Sequence, residues 1–314
     1  TAIDPYGHEL WRWTFPVNQL NQQTEQLSPL SSRPAYTETE NELTVKANKR
    51  TFIFSKKDGQ LKGVSVDNRK ISFANGPRFI GARRADRSLD QFYNHDDEKA
   101  KEKDRTYSEF PDAAVFTKLD VKQDGGDLIV TANYKLGNLD KAQWTINPSG
   151  DLALDYTYNF SGVVDLMGIR FDYPEDQVIS KRWLGAGPYR VWQNRIHGTQ
   201  YDVWENDYND PIPGETFTYP EFKGYFGDVS WMNIQTKEGT ISLTNETPDA
   251  YIGVYQPRDG RDRLLYTLPE SGISVLNVIP PVRNKVNSTD LCGPSSQPKW
   301  VNGPQTGRVI FRFM

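Results

Sequence analysis

A single cysteine, Cys292, stands in the chain of 314 residues, and that one number removes several possibilities at once. No internal disulfide can form, and no cysteine-based structural zinc site can be built. A lone thiol in a Gly-Pro-rich stretch, with no histidine near it in sequence, reads as a packed or loop residue rather than a nucleophile. Histidine is almost as scarce: His8, His95 and His197 are the three present, and no two stand at metal-ligand spacing. Gly-rich phosphate loops and a Gly-x-Ser-x-Gly elbow are missing as well, so neither a metal nor a cofactor is expected. The run Asn94-His95-Asp96-Asp97 offers oxygens of the kind calcium takes, but it lacks EF-hand spacing and reads as a solvated loop. Apolar runs of about 18 residues are absent, which excludes a helical membrane span. Basic residues are not in excess: a net charge of -4 and a pI near 5.6 argue against a nucleic-acid partner, despite a local patch at Arg83, Arg84 and Arg87.

Helical periodicity is the other thing missing. The best candidate, Ser88 to Asp104, ends in Asp96-Asp97-Glu98-Lys99-Ala100-Lys101-Glu102-Lys103-Asp104, a charge run that reads as a solvated loop or short surface helix. Alternation takes its place. Leu152, Leu154, Tyr156, Tyr158 and Phe160 oppose Asp151, Asp155, Thr157 and Asn159, and a period of two puts the apolar set on one face of a strand. Similar runs lie at Thr51–Phe54, Leu128–Tyr134, Thr240–Leu243 and Arg308–Met314. Asp58-Gly59, Gly125-Gly126, Pro148-Ser149-Gly150 and Lys237-Glu238-Gly239 separate them as turns. Many short strands joined this way predict an all-β sandwich or barrel. Residues 1–41 differ: Trp11, Trp13 and Phe15 cluster, and a Gln/Ser/Pro-rich stretch follows, so they read as an N-terminal arm or linker to a β-domain over 42–314. Thr1 leads straight into Asp4-Pro5-Tyr6 with no basic and apolar leader, as expected of a processed chain or a piece of a longer one. A periplasmic or secreted bacterial location is favoured, although cysteine-poor chains occur in the cytosol too.

What the chain does have is rings. Aromatics make up 12% of it, with 8 Trp and 16 Tyr, so most must sit in the core. Trp144 and Trp231, flanked by alternating strands, are predicted there. Trp183, Trp192 and Trp204 stand instead among Gly, Pro, Asn and Arg, in a run that opens Arg182-Trp183-Leu184-Gly185-Ala186-Gly187-Pro188. Flat rings beside guanidinium forks suit sugars, which present an apolar C–H face and a rim of hydroxyls. The candidate carbohydrate-binding residues are therefore Arg190, Trp192, Arg195, His197, Tyr201, Trp204 and Glu205. Further acids, Asp207, Asp210, Glu215 and Glu221, follow, but a glycosidase needs two carboxyls at a set separation, and no catalytic pair is assigned here.

Trp183-Leu184-Gly185-Ala186-Gly187-Pro188, with Arg195, Tyr201 and Trp204 downstream, resembles the C-terminal domain, the β-galactosidase small-chain-like domain 5, of family 2 glycoside hydrolases. Phe52 to Leu61, with its Asp58-Gly59 turn, is similar to that family's opening hairpin, and Gly76-Pro77-Arg78-Phe79 stands where the family carries a comparable run. The end of the chain, from Thr289 through Gly293-Pro294 to Val309–Phe313, is similar to the family's terminal strand region. Ile80-Gly81-Ala82-Arg83-Arg84-Ala85-Asp86 departs from the family pattern. The resemblance implies a large antiparallel β-supersandwich, galactose-mutarotase-like, whose partners are carbohydrate and the catalytic barrel of the same enzyme. Some β-galactosidases lend that barrel a tryptophan from near their end, and Trp300 is the nearest equivalent. Nothing in the chain alternates strand and helix as a barrel does. The expectation is a non-catalytic domain, inactive by itself as a glycosidase. A stand-alone carbohydrate-binding module is one alternative. A mutarotase- or epimerase-like enzyme using His197 with Glu205 as acid and base is another.

Overall fold

The structure, a computed structural model, describes residues 1–14, 32–84, 107–207, 224–254, 269, 271–281 and 294–314. The charged run to Asp104, His95, Cys292 and the acids Asp210, Glu215 and Glu221 lie outside them. Among the described residues the regular elements are strands and two 3-10 turns.

The strands form two large antiparallel sheets: all-β as the alternation predicted, and the supersandwich that the family resemblance implied. One has nine strands, in the order Val115–Asp124, Asp127–Lys135, Leu139–Ile146, Leu152–Val164, Lys299–Phe313, Gly239–Asn245, Trp231–Thr236, Val178–Gly187, Gln200–Asp207. The other, of ten, runs Tyr251–Val254, Ile273–Val278, Leu166–Asp172, Ala74–Arg84, Leu61–Val66, Arg50–Ser55, Glu42–Ala47, Ala35–Glu38, with Arg69–Ile71 and Tyr107–Glu109 pairing at its side. Ala35–Glu38 pairs with Glu42–Ala47, so the boundary suggested after residue 41 falls in the turn of a hairpin that belongs to the sheet. A separate small hairpin, Ala2–Ile3 with Glu9–Trp11, precedes them. Its turn is closed by Asp4, whose Oδ1 accepts from the Tyr6 and His8 N–H groups at 2.9 and 2.8 Å.

Turn chemistry sets the registers. Asp67 and Asn68 carry φ of 49° and 64° between Val66 and Arg69, the two positive-φ central residues that a tight hairpin twist demands and that Asp and Asn tolerate. Gly59, Gly125 and Gly150 also have positive φ, at three turns read from the sequence.

Each sheet turns its period-two apolar set inward. Leu152, Leu154, Tyr156 and Tyr158 are buried, and opposite them lie Phe52, Phe54, Phe79 and Phe171 of the other sheet. Rings knit the layers together: Phe54 lies 5.9 Å from Trp144, Phe79 5.4 Å from Tyr158, and Phe171 5.3 Å from Phe311. Phe73, between two strands, stacks on Phe171 at 4.7 Å and touches Phe311 at 5.0 Å. A buried phenylalanine contributes about 1.5–3 kcal/mol, and offset or edge contacts add to it, so this aromatic belt holds the two sheets face to face. Trp144 is in that core as predicted, whereas Trp231 is only half-buried.

A second, smaller cluster lies apart from this core. Ile80, Ala82 and Leu166 of the ten-stranded sheet meet Val191, Trp192 and Tyr225 there. The backbone bridges Val191 to Tyr225 and Phe226 to Ile252, tying the segment after Gly224 to both sheets at one end of the sandwich. That end is where a cleft opens.

Candidate functional site

The segment that drew attention in the sequence is mostly structural. Trp183 is in a strand, not a loop; it is fully buried, its Nε1 donates to the Ala186 carbonyl at 3.0 Å, and it meets Phe226 edge-on at 4.9 Å. The glycines around it are strand positions, not turns. A Cβ on Gly187 would lie 2.4 Å from the Trp204 indole, and one on Gly185 3.0 Å from the backbone of Asp228. Glycine is required there because another part of the chain comes too close for a side chain.

Trp192 has 0% exposure and packs edge-on against Tyr225 at 5.6 Å, so it offers no face to a sugar. Arg190, 4% exposed, directs its guanidinium at the Phe226 ring from 5.8 Å. Buried Lys181 approaches the same ring at 6.0 Å. Both cations use the ring's negative face inside the protein. Arg190 and Trp192 are therefore corrected from ligand contacts to packing residues: the run looked loop-like because glycine and arginine are usually surface types, while here Gly185 and Gly187 are buried strand positions and Arg190 is covered. Trp204 is half-buried, with its Nε1 donating to the Gln200 carbonyl at 3.1 Å. Glu205 is exposed, opposite Arg182, whose Nε lies 4.0 Å away. Arg195 is exposed and closes a turn, its N–H donating to the Trp192 carbonyl at 2.9 Å. Trp300 projects from the outer face of the nine-stranded sheet, 71% exposed, across from Val163.

Two of the predicted residues, His197 and Tyr201, do come together, at the end of the nine-stranded sheet. They line a cleft of about 890 Å³ with three other stretches: Trp11 to Thr14, Asp228 to Ser230, and Asn245 to Ala250, with Ala186 among them. Each wall has a cause in the chain. Gln200–Asp207 begins at the cleft, so Tyr201 stands at its mouth, where its hydroxyl bonds the Ser230 Oγ at 2.6 Å. Asn245 at the end of its strand donates from its Nδ2 to the Val229 and Thr247 carbonyls at 3.2 and 3.3 Å, fixing the next turn. Thr247 in turn accepts from the Arg308 N–H at 2.9 Å. Trp11 and Trp13, 37% and 55% exposed, stand two apart in sequence. In extended chain that spacing directs both to one side.

Electrostatically the cleft is acidic on one side. Burial pushes the Asp228 carboxyl above its usual value, and the charge of Asp249 pushes it further the same way. Burial, then Asp228 and Asp249, raise the neighbouring Tyr251 phenol. Both aspartates have positive φ, 50° and 53°, which presents each at the tip of a tight turn. The two carboxylates bring acceptor oxygens to this side of the cleft. Glu205 is not part of this: four strand residues beyond Tyr201, it sits about 13 Å along the sheet, so the pairing of His197 with Glu205 as acid and base is not assembled. Among the described residues, no cluster of His, Cys, Asp and Glu is arranged to hold a metal.

The sequence missed Trp11, Trp13, Asp228 and Asp249 as cleft residues. The two tryptophans were visible as an aromatic cluster in an arm, but their position depends on where the arm lands. The aspartates carry no spacing signal at all.

The molecule is thus a two-sheet antiparallel supersandwich with a polar, partly aromatic cleft where strands of one sheet end. Residues 46–281 match the family model of the β-galactosidase small chain, well over half of the chain, and the chain belongs to that family. A search of curated proteins gives no match. Among solved structures it is similar to a galactose 1-epimerase from Lactobacillus acidophilus, with a TM-score of 0.47 and 11% identity over 90% of this chain and 99% of that one. A galactose mutarotase/aldose epimerase homologue from C. elegans has a TM-score of 0.39 and 6% identity over 90% of this chain and 99% of that one. At that level the likenesses speak to neither activity nor ligand.

Proposed function

We propose that this chain is a non-catalytic domain of a β-galactosidase-type glycoside hydrolase, which packs against a catalytic barrel and uses the cleft to help shape the carbohydrate site. The observation that carries the reading is the cleft: exposed Trp11 and Trp13 across from Tyr201, Ser230 and the Asp228–Asp249 carboxyls. Such a site suits a pyranose, with its C–H face against a ring and its hydroxyls among alternating donors and acceptors. Membership of the small-chain family and the absence of strand–helix alternation among the described residues agree with an accessory role. The test is twofold. Galactose titrated into the purified chain binds with millimolar or tighter affinity, and the chain alone turns over no aryl β-galactoside. Turnover by the purified chain that disappears in Asp228→Asn would overturn the non-catalytic assignment.

One observation favours a second reading. A carboxyl with raised proton affinity shares the cleft with His197, and anomer interconversion needs an acid and a base within reach of one sugar ring. On this reading the chain is a mutarotase-like enzyme. Exchange between galactose anomers followed by NMR decides it: no acceleration over buffer removes the enzyme, and acceleration lost in both His197→Ala and Asp228→Asn establishes it.

A further inference from the structure

A second depression, about 370 Å³, adjoins the cleft on the outer face of the nine-stranded sheet, and Glu246 and Pro248 line both. Its floor is made by the strands Leu152–Val164 and Lys299–Phe313, with Asp155 opposite Arg308 and Thr157 opposite Thr306. Arg308 is held from two sides: its Nη1 donates to Asp155 Oδ2 at 2.6 Å, and its Nε lies 3.0 Å from Glu246 Oε2. All three side chains remain partly open to solvent, at 40%, 37% and 47%.

That arrangement leaves a specific pattern of vacant groups. Arg308 Nη2 has no partner among the described residues, nor have Asp155 Oδ1 and Glu246 Oε1. The order across the site is acceptor, donor, acceptor. A sugar hydroxyl both donates and accepts, so two neighbouring hydroxyls satisfy such a row at once. The guanidinium is already fixed by its two carboxylates, so little side-chain freedom is lost on binding. The adjoining Thr157 and Thr306 add small hydroxyl-bearing walls rather than rings.

We infer that this depression is a second sugar subsite, continuous with the cleft through Glu246, and that the ligand is a glycan of at least two units rather than a monosaccharide. This rests on the carbohydrate reading of the cleft. One unit lies against Trp11 and Trp13, and the next reaches the Arg308 row.

Isothermal titration of the whole chain with galactose, β-linked galactobiose and β-linked galactotriose tests it. The expected result is at least a tenfold tighter binding of the di- or trisaccharide than of galactose. Thr306→Met, which fills the depression with a bulky group carrying neither ring nor charge, removes that gain and leaves galactose affinity unchanged. Thr306 is an exposed strand position, so the variant is expected to fold, and an unchanged thermal transition checks that. Equal affinity for all three sugars overturns the second subsite and leaves the cleft as a monosaccharide site. A gain that survives in Thr306→Met also overturns it, because the additional unit then lies elsewhere. Failure of every sugar to bind overturns the carbohydrate reading itself, and the subsite with it.

Discussion

Two groups of tryptophans occupy opposite situations in this protein. Trp183 and Trp192, in the segment richest in glycine and arginine, are completely buried, while Trp11 and Trp13, in a polar arm, stand exposed over a cleft. By composition the assignment would be reversed. The glycines near Trp183 do not mark a loop; they make room for the Trp204 indole and the backbone after Phe226, and the arginine near Trp192 spends its charge against a buried ring. The difference teaches that a ring's neighbours in sequence tell less about its exposure than whether a second layer of chain passes over it.

The outer face of the nine-stranded sheet repeats the contrast with ion pairs. Asp151 and Arg312 form a closed fork, Nε and Nη2 to the two carboxylate oxygens at 2.7 and 2.8 Å, with Asp151 itself buried. Four strand positions away, Arg308 is held but open. One pair is sealed into the fold; the other has bonding capacity left over.

The largest effect that could break the comparison is on Trp183. Trp183→Ala leaves a cavity between Phe226 and the sheet, and a loss of about 4 kcal/mol is expected in urea unfolding. Trp192→Ala belongs to the same class, and any fall in sugar affinity there should accompany unfolding; a stable Trp192→Ala that merely loses binding would return this residue to the ligand surface.

Next comes the sealed pair. Arg312→Met removes the main partner of a buried carboxylate, leaving it the Asn147 amide and the Arg50 charge, and should cost about 2 kcal/mol at neutral pH. Burial raises the Asp151 carboxyl, but the Arg312 fork, together with the Asn147 amide and the Arg50 charge, outweighs that and the net shift is downward. A lowered folded pKa contributes stability that is present above the unfolded value, about 3.9, and is lost as pH falls through the folded one. The gap between the parent and Arg312→Met should accordingly be full above pH about 5 and close in acid. A gap independent of pH down to acid unfolding would mean that Asp151 is not its source.

The exposed pair is expected to respond in the opposite way. In Trp11→Ala/Trp13→Ala, galactose affinity falls about tenfold, or about 1.4 kcal/mol, while the unfolding midpoint moves by the equivalent of no more than about 0.5 kcal/mol. Calorimetry with both measurements on one preparation checks it, and a large stability loss would make the arm part of the core. The smallest effect belongs to Trp300. In the isolated chain Trp300→Ala should change neither stability nor galactose affinity beyond about 0.5 kcal/mol, since the ring is solvated and lines neither depression. Its consequence, if it meets the catalytic barrel, appears only in the assembled enzyme.

The sheet architecture was legible because strand alternation and turn chemistry are local. Leu152 to Phe160 could be assigned to an inward face from their period alone, and Asp58-Gly59 or Gly125-Gly126 to turns from what those residues tolerate. The family was legible from ordered motifs, and the run at Trp183 marks it. The candidate site was legible only in part. His197 and Tyr201 were named, and both reach the cleft; Glu205, four positions on from Tyr201, does not. The aspartates at positions 228 and 249 left no trace in spacing.

Composition and periodicity by themselves therefore determined an all-β sandwich or barrel, with no internal disulfide and no helical membrane span, and assigned the apolar face of the strands whose alternation is clear. Only the tertiary structure decided which tryptophans are covered, where the N-terminal arm lies, and which carboxyls come to share a cleft. The physical reason is range. Side-chain alternation and turn preference act over a few residues, whereas burial, a raised carboxyl pKa and the open Arg308 row each arise from segments far apart in sequence that meet only when the sheets close.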